Sequence, residues 1–110
     1  MARRSSFKMG TVELIVLFLL SQQDLYGYQL TSLIKEKSNG KVTITESSLY
    51  PTLYKLLDKK MISDYEQPSG KRRIRVYYHL EDAGKERLAE LLEDYETITS
   101  GIQSILQSNK

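Results

Sequence analysis

The side chains with the most chemistry to offer lie in residues 48–57, Ser-Leu-Tyr-Pro-Thr-Leu-Tyr-Lys-Leu-Leu. Leu49, Leu53, Leu56 and Leu57 recur at helical spacing and form one apolar face. Ser48, Tyr50, Thr52 and Lys55 fall off that face, with Tyr54 near its edge. Hydroxyls, a phenol and an ammonium group can bond phosphates and base edges. A helix with a hydroxyl-rich outer side and one cation suits a nucleic-acid groove. An ordinary surface helix carries the same pattern, and this segment alone leaves both readings open.

A second constellation follows, Gly70-Lys71-Arg72-Arg73-Ile74-Arg75, with four cations crowded beside a Pro-Ser-Gly turn. An isolated run of this kind is often a solvated hairpin tip. One element after a candidate groove-binding helix, Lys71, Arg72, Arg73 and Arg75 read instead as contacts along a phosphate backbone or in a minor groove. Other chemistries find little support. There is no cysteine, and His79 is the one histidine, so no metal site is expected. Ser48, His79 and Asp82 have the residue types of a hydrolase triad. They lack a nucleophile elbow, oxyanion glycines and a phosphate-cradling Gly-Lys-Ser/Thr loop, so an enzyme is not expected.

The elements that must hold these groups can be read in order. A length of 110 residues argues one domain. A first helix is expected from about Met9 to Leu20. Its seven-residue apolar run, Leu14 to Leu20, is too short to span a bilayer. That helix is apolar nearly all round except Thr11 and Glu13, so its burial calls for a partner chain. A second helix fits Tyr28 to Lys37, ended by Ser38-Asn39-Gly40. Val42-Thr43-Ile44 is a short strand candidate that would join the hairpin sheet. The third helix starts near Thr45 to Ser48, which places Pro51 in its first turn, where a missing N–H costs little. It ends around Lys59-Lys60. Met61 to Gln67 and Arg73 to Leu80 read as strands around Pro68-Ser69-Gly70. From Asp82 to about Gln107, Leu88, Leu91, Tyr95, Ile98, Ile102 and Ile105 are spaced 3, 4, 3, 4, 3, a coiled-coil seam.

This order is mainly α with a small β-hairpin. It predicts a winged helix-turn-helix over residues 1–80 and a long C-terminal dimerisation helix over 81–110. Charge divides the same way. Residues 1–80 hold 13 Lys+Arg against 7 Asp+Glu, a balance of +6, and residues 81–110 hold 3 against 7, a balance of −4. The basic start, residues 1–8, leads into an apolar run that ends in Ser21-Gln22-Gln23-Asp24 without a small-residue cleavage site. A cytoplasmic protein with no membrane partner and no cofactor is expected.

The chain resembles the PadR family of bacterial transcriptional regulators. The resemblance rests on Gly27-Tyr28-Gln29-Leu30, on residues 48–56, on Gly70-Lys71-Arg72 leading into Val76-Tyr77-Tyr78-His79-Leu80, and on Gly84. It covers about residues 9–90, and the short C-terminal part is similar to the compact subfamily. It implies a homodimer that represses transcription on double-stranded operator DNA. The C-terminal helix would pack on the partner's first helix, giving an interface of Leu14, Leu17, Leu88, Leu91, Tyr95, Ile98, Ile102 and Ile105. Some multidrug-responsive members bind flat aromatic cations between the paired C-terminal helices. By similarity that effector site would hold Tyr95 with Val12, Leu88 and Leu91 nearby, and Glu13 could attract the cation. Release of a repressor by such an effector is the implied function, and the alternative is a winged-helix protein-interaction module that reads no DNA. The family commonly enters its last helix with Leu-Thr. Here Glu81-Asp82 follows Leu80, and Asp82 can cap the helix.

Overall fold

In a computed structural model of the protein, the backbone is described for residues 2–108 and side chains for 10–108. The basic start of the chain lies outside the described side chains. The elements are α1 (Ala2–Gln22), β1 (Leu25–Tyr26), α2 (Gly27–Lys37), α3 (Glu46–Asp58), β2 (Ile62–Ser69), β3 (Arg73–Leu80) and α4 (Asp82–Leu106). This is the mainly helical winged fold with a long final helix that the pattern predicts. Among the described residues, no helix is long and apolar enough to cross a membrane.

The core forms where the apolar helix faces meet. Val16 and Leu17 of α1, Leu30 of α2, and Leu49, Leu53 and Leu56 of α3 are fully buried, with Leu25 and Ile62 of the sheet beside them. Burial of each such side chain stabilises the fold by about 1.5–3 kcal/mol. The apolar excess of α1 is largely absorbed within its own chain, by α2, α3, β3 and the first turns of α4. Leu17 is therefore core and offers no surface to a partner, contrary to its expected place in a dimer interface. Leu88 and Leu91 are likewise buried in the single chain, because α4 folds back on its own α1. Leu14 stays half-buried, and Phe18 is exposed.

The three-stranded antiparallel sheet has the order β1-β3-β2. Its third strand is Leu25–Tyr26, paired with Tyr78 and Tyr77, and Val42–Ile44 takes no part. The Ser38 hydroxyl explains the difference. It accepts from the Val42 N–H at 2.9 Å and ties that segment to the end of α2. Tyr26 passes directly into α2, and its N–H donates to the Gln29 side chain at 3.1 Å. Hairpin pairing runs from Ile62↔Leu80 to Ser69↔Arg73, so Pro68 and Ser69 belong to β2. The turn is Gly70-Lys71-Arg72, opened by Gly70 at φ 75°. Pro68 is tolerated because β2 is an edge strand.

Helix α3 is capped by Thr45, whose hydroxyl accepts from the Ser48 N–H at 3.3 Å. With Glu46 first, Pro51 is the sixth helical residue and sits in the second turn, not the first. Its missing N–H leaves the Ser47 carbonyl without a helical donor. Both residues are exposed, so water can satisfy that oxygen. At the other end of the sheet Glu81, not Asp82, is the N-cap of α4. The Glu81 carboxylate accepts from the Ser63 hydroxyl at 2.6 Å instead of capping. Gly84 lets α4 lie against the Met61 carbonyl, which any Cβ at this position would overlap.

Candidate nucleic-acid interface

Leucine packing decides which side of α3 faces out. Leu49, Leu53 and Leu56 point into the core, leaving Ser48, Tyr54 and Lys55 on the surface. Tyr54 is 61% exposed, while Tyr50 is half-buried with its ring centroid 6.0 Å away. The Tyr50 phenol lies over Gly27, where a Cβ would collide with it. Burial first, then Glu46 and Tyr54, raise the pKa of Tyr50, which keeps it a neutral donor. Thr52 departs from expectation. It sits three residues after Leu49 and four before Leu56, within the apolar face, and is only 8% exposed. Its hydroxyl bonds the Ser48 carbonyl at 3.5 Å, so it is a packing residue and not a DNA contact. Sequence reasoning places Thr45 at the helix start but does not foresee that its hydroxyl and that of Ser47 lie 2.9 Å apart beside Ser48. The Thr45-Glu46-Ser47-Ser48 run was the available signal. Hydroxyls at a helix N-terminus can bond a phosphate, while the Glu46 carboxylate in the same turn opposes one.

The hairpin carries its cations outward. Lys71, Arg72 and Arg73 are exposed, and no carboxylate of the described residues pairs with them. Arg75 differs from these three. Its guanidinium lies 4.4 Å above the Tyr26 ring, which fixes it on the outer sheet face. Tyr78 points inward and burial pushes its pKa up to about 12. Ile74 and Val76 share that inner face but extend beyond the helices and are exposed.

The outer sheet face holds a ladder of rings. Tyr77 meets Tyr26 edge-on at 5.3 Å and stacks on Tyr65 at 5.7 Å. Asp24 closes this ladder, accepting from the Tyr65 phenol at 2.7 Å and bonding His79 Nδ1 at 2.8 Å. Partial desolvation raises the Asp24 pKa, but the His79 and Tyr65 hydrogen bonds outweigh it and the net shift is downward. A depressed carboxylate pKa stabilises the fold above the unfolded carboxylate range and loses that effect as pH falls through the folded value. An Asp24→Asn protein is therefore expected to melt below wild type at neutral pH, with the gap in Tm closing in acid. A gap that stays constant down to pH 2 in thermal melts would overturn this role for the network.

Two apolar features lie on residues outside α3 and the wing. Tyr95, Ile98, Ile102 and Ile105 form an unpartnered stripe on α4, 42–69% exposed. Beside it Leu14, Ile15, Phe18, Leu33, Val42 and Leu92 line an apolar cleft of about 370 Å³. Glu13 is not available to attract a cationic effector. It is 5% exposed, and its carboxylate already accepts from Arg87 Nε at 3.1 Å with Lys55 Nζ 4.0 Å away. A buried carboxylate needs a compensating charge, and the chain supplies its own.

Comparison with known proteins agrees with this geometry. Residues 16–90 match the Transcriptional regulator PadR-like family. Transcriptional regulator YqjI of Escherichia coli is 31% identical over 102 residues, 93% of this chain. The chain spans about half of that protein, 47% of its length. A solved structure, smu.1704 from Streptococcus mutans, superposes with a TM-score of 0.80 at 32% identity, covering 93% of this chain and 92% of that one. Bacillus subtilis PadR in complex with operator DNA superposes with a TM-score of 0.70 at 32% identity, over 74% of this chain and 46% of that one. The match covers the last turns of α1, all of α2 and α3, the wing and the start of α4, and the chain belongs to the PadR-like family of transcriptional regulators, not to a family of enzymes.

Proposed function

We propose that two copies of this chain bind double-stranded operator DNA and repress transcription. Helix α3 enters the major groove with Ser48, Tyr50, Tyr54 and Lys55, while Lys71, Arg72 and Arg73 of the wing lie on the backbone or in the minor groove. The observation that carries this reading is the exposed, unpaired cationic wing next to the outward hydroxyl side of α3, on a fold like that of a relative solved on its operator. No Arg, Asn or Gln lies on α3. Specificity then rests on a few hydroxyl and apolar contacts plus DNA shape. Residues 1–80 act as the reading head and 81–110 as the assembly helix. The α4 stripe of Tyr95, Ile98, Ile102 and Ile105 pairs across the two-fold axis, with Leu14 and the cleft beside it accepting the partner's apolar side chains.

An effector of planar aromatic type fits between the paired α4 helices, stacked on Tyr95 near Val12. Half-buried Val12 and exposed Tyr95 leave room for that role. Leu88 and Leu91 contribute to such a site only from behind, as its buried support. In a gel-shift titration, the chain should retard a fragment carrying palindromic half-sites about one helical turn apart, and planar dyes should release it. No retardation of the chain's own upstream region at low salt would favour the protein-interaction module instead. No dye-dependent release would remove the effector.

A further inference from the structure

Glu13 joins three helices through one carboxylate. It sits on α1, receives Arg87 of α4 on Oε2 at 3.1 Å, and faces Lys55 of α3 with Oε1 at 4.0 Å. Arg87 in turn reaches Glu90 at 3.2 Å. Of these groups only Lys55 can leave for another anion at small cost. Its side chain is 42% exposed, whereas Glu13 is buried and keeps Arg87. Lys55 is also the only cation within α3.

We infer that Glu13 is a positioning residue that withholds Lys55 from DNA phosphate, with a strength set by how firmly Arg87 of α4 engages the same carboxylate. The inference rests on the DNA-binding reading above. When Arg87 is close, the Glu13 charge is shared and Lys55 is released to phosphate more easily. When α4 shifts and draws Arg87 away, the whole charge falls to Lys55, which turns inward. One carboxylate thus couples the assembly helix to the reading helix without any change in the core. Charge sharing between competing cations is a differential interaction of the kind such coupling requires.

Two variants should move DNA affinity in opposite directions. In E13Q the amide oxygen still accepts from Arg87, while the charge that holds Lys55 is gone. Operator binding should tighten about fivefold, and the slope of log K against log[salt] should steepen by up to about 1 per dimer, since Lys55 is only partly withheld in the wild type. In R87M the Glu13 charge is left to Lys55 alone, and binding should weaken by a similar factor. In a K55M background, neither second change should alter affinity. E13Q with and without K55M tests the tether, and if R87M folds poorly R87Q, which keeps a polar donor but removes the charge, tests its control by α4 and should likewise weaken binding only where Lys55 is present. E13Q that weakens binding or leaves it unchanged, or an E13Q effect that persists beside K55M, would overturn the inference. Failure of wild type to bind any operator would reject the DNA-binding reading and this tether with it, a result distinct from binding without epistasis.

Discussion

Replacing Lys71, Arg72 and Arg73 together by alanine should abolish tight operator binding while leaving the fold intact. A dimer that neutralises about eight phosphates binds with a salt slope near about −7. The triple variant removes six cations per dimer, which should flatten the slope to about −2 and lower affinity roughly a thousandfold or more at moderate salt. Arg75 would not compensate, since its guanidinium is committed to the Tyr26 ring. Stability should change by less than about 0.5 kcal/mol, because these exposed side chains make no ion pair with the described residues. Fluorescence anisotropy at four or five salt concentrations gives both quantities. An unchanged slope would remove the wing from the interface.

Ile98→Asp with Ile102→Asp should separate the two copies. Both isoleucines are more than 40% exposed in the single chain, so the protomer loses little by the change. In the proposed pair they are buried, and a carboxylate there would be desolvated without a partner. Sedimentation should find monomers at micromolar concentration. Operator affinity should fall by about 10²–10³, since the second half-site is no longer held at the high effective concentration that linkage provides. A variant that remains dimeric would show that α4 does not hold the copies together. Because Leu88 and Leu91 remain packed on α1, circular dichroism should report a folded protomer.

Periodic features are legible in the sequence. The leucines of α3, the alternation of β3 and the 3-4-3-4-3 seam each repeat an apolar signal over two or more turns or pleats, and each marked its element correctly. Short and contextual features were not. A two-residue strand has no period, so Leu25–Tyr26 was hidden, and β-branched Val42 and Ile44 drew attention away from it. Ser38 decided that contest through one hydroxyl that propensity does not weigh. Thr52 reads as a surface residue by its polarity, although its position relative to Leu49 and Leu56 assigns it to the buried face. The burial of Leu17 could not be separated from burial by a partner, because an all-apolar helix looks the same in both cases. Arg75 and Glu13 show the same limit for charge. Their partners, Tyr26 and Arg87, are distant in sequence, and nothing local announces the pairing.

Pro68 has a consequence beyond the wing's own geometry. An open strand rim is a template on which another molecule's backbone can add, and the proposed pairing on DNA would bring such rims close together. On β2 that rim carries Asp64, Glu66 and then Pro68, two like charges and a residue with no N–H to offer. A neighbouring chain that tried to extend the sheet would meet repulsion and, near the tip of the wing, a missing donor. The wing can therefore be long and cationic, as the proposed grip on a phosphate backbone requires, without offering its rim to another chain.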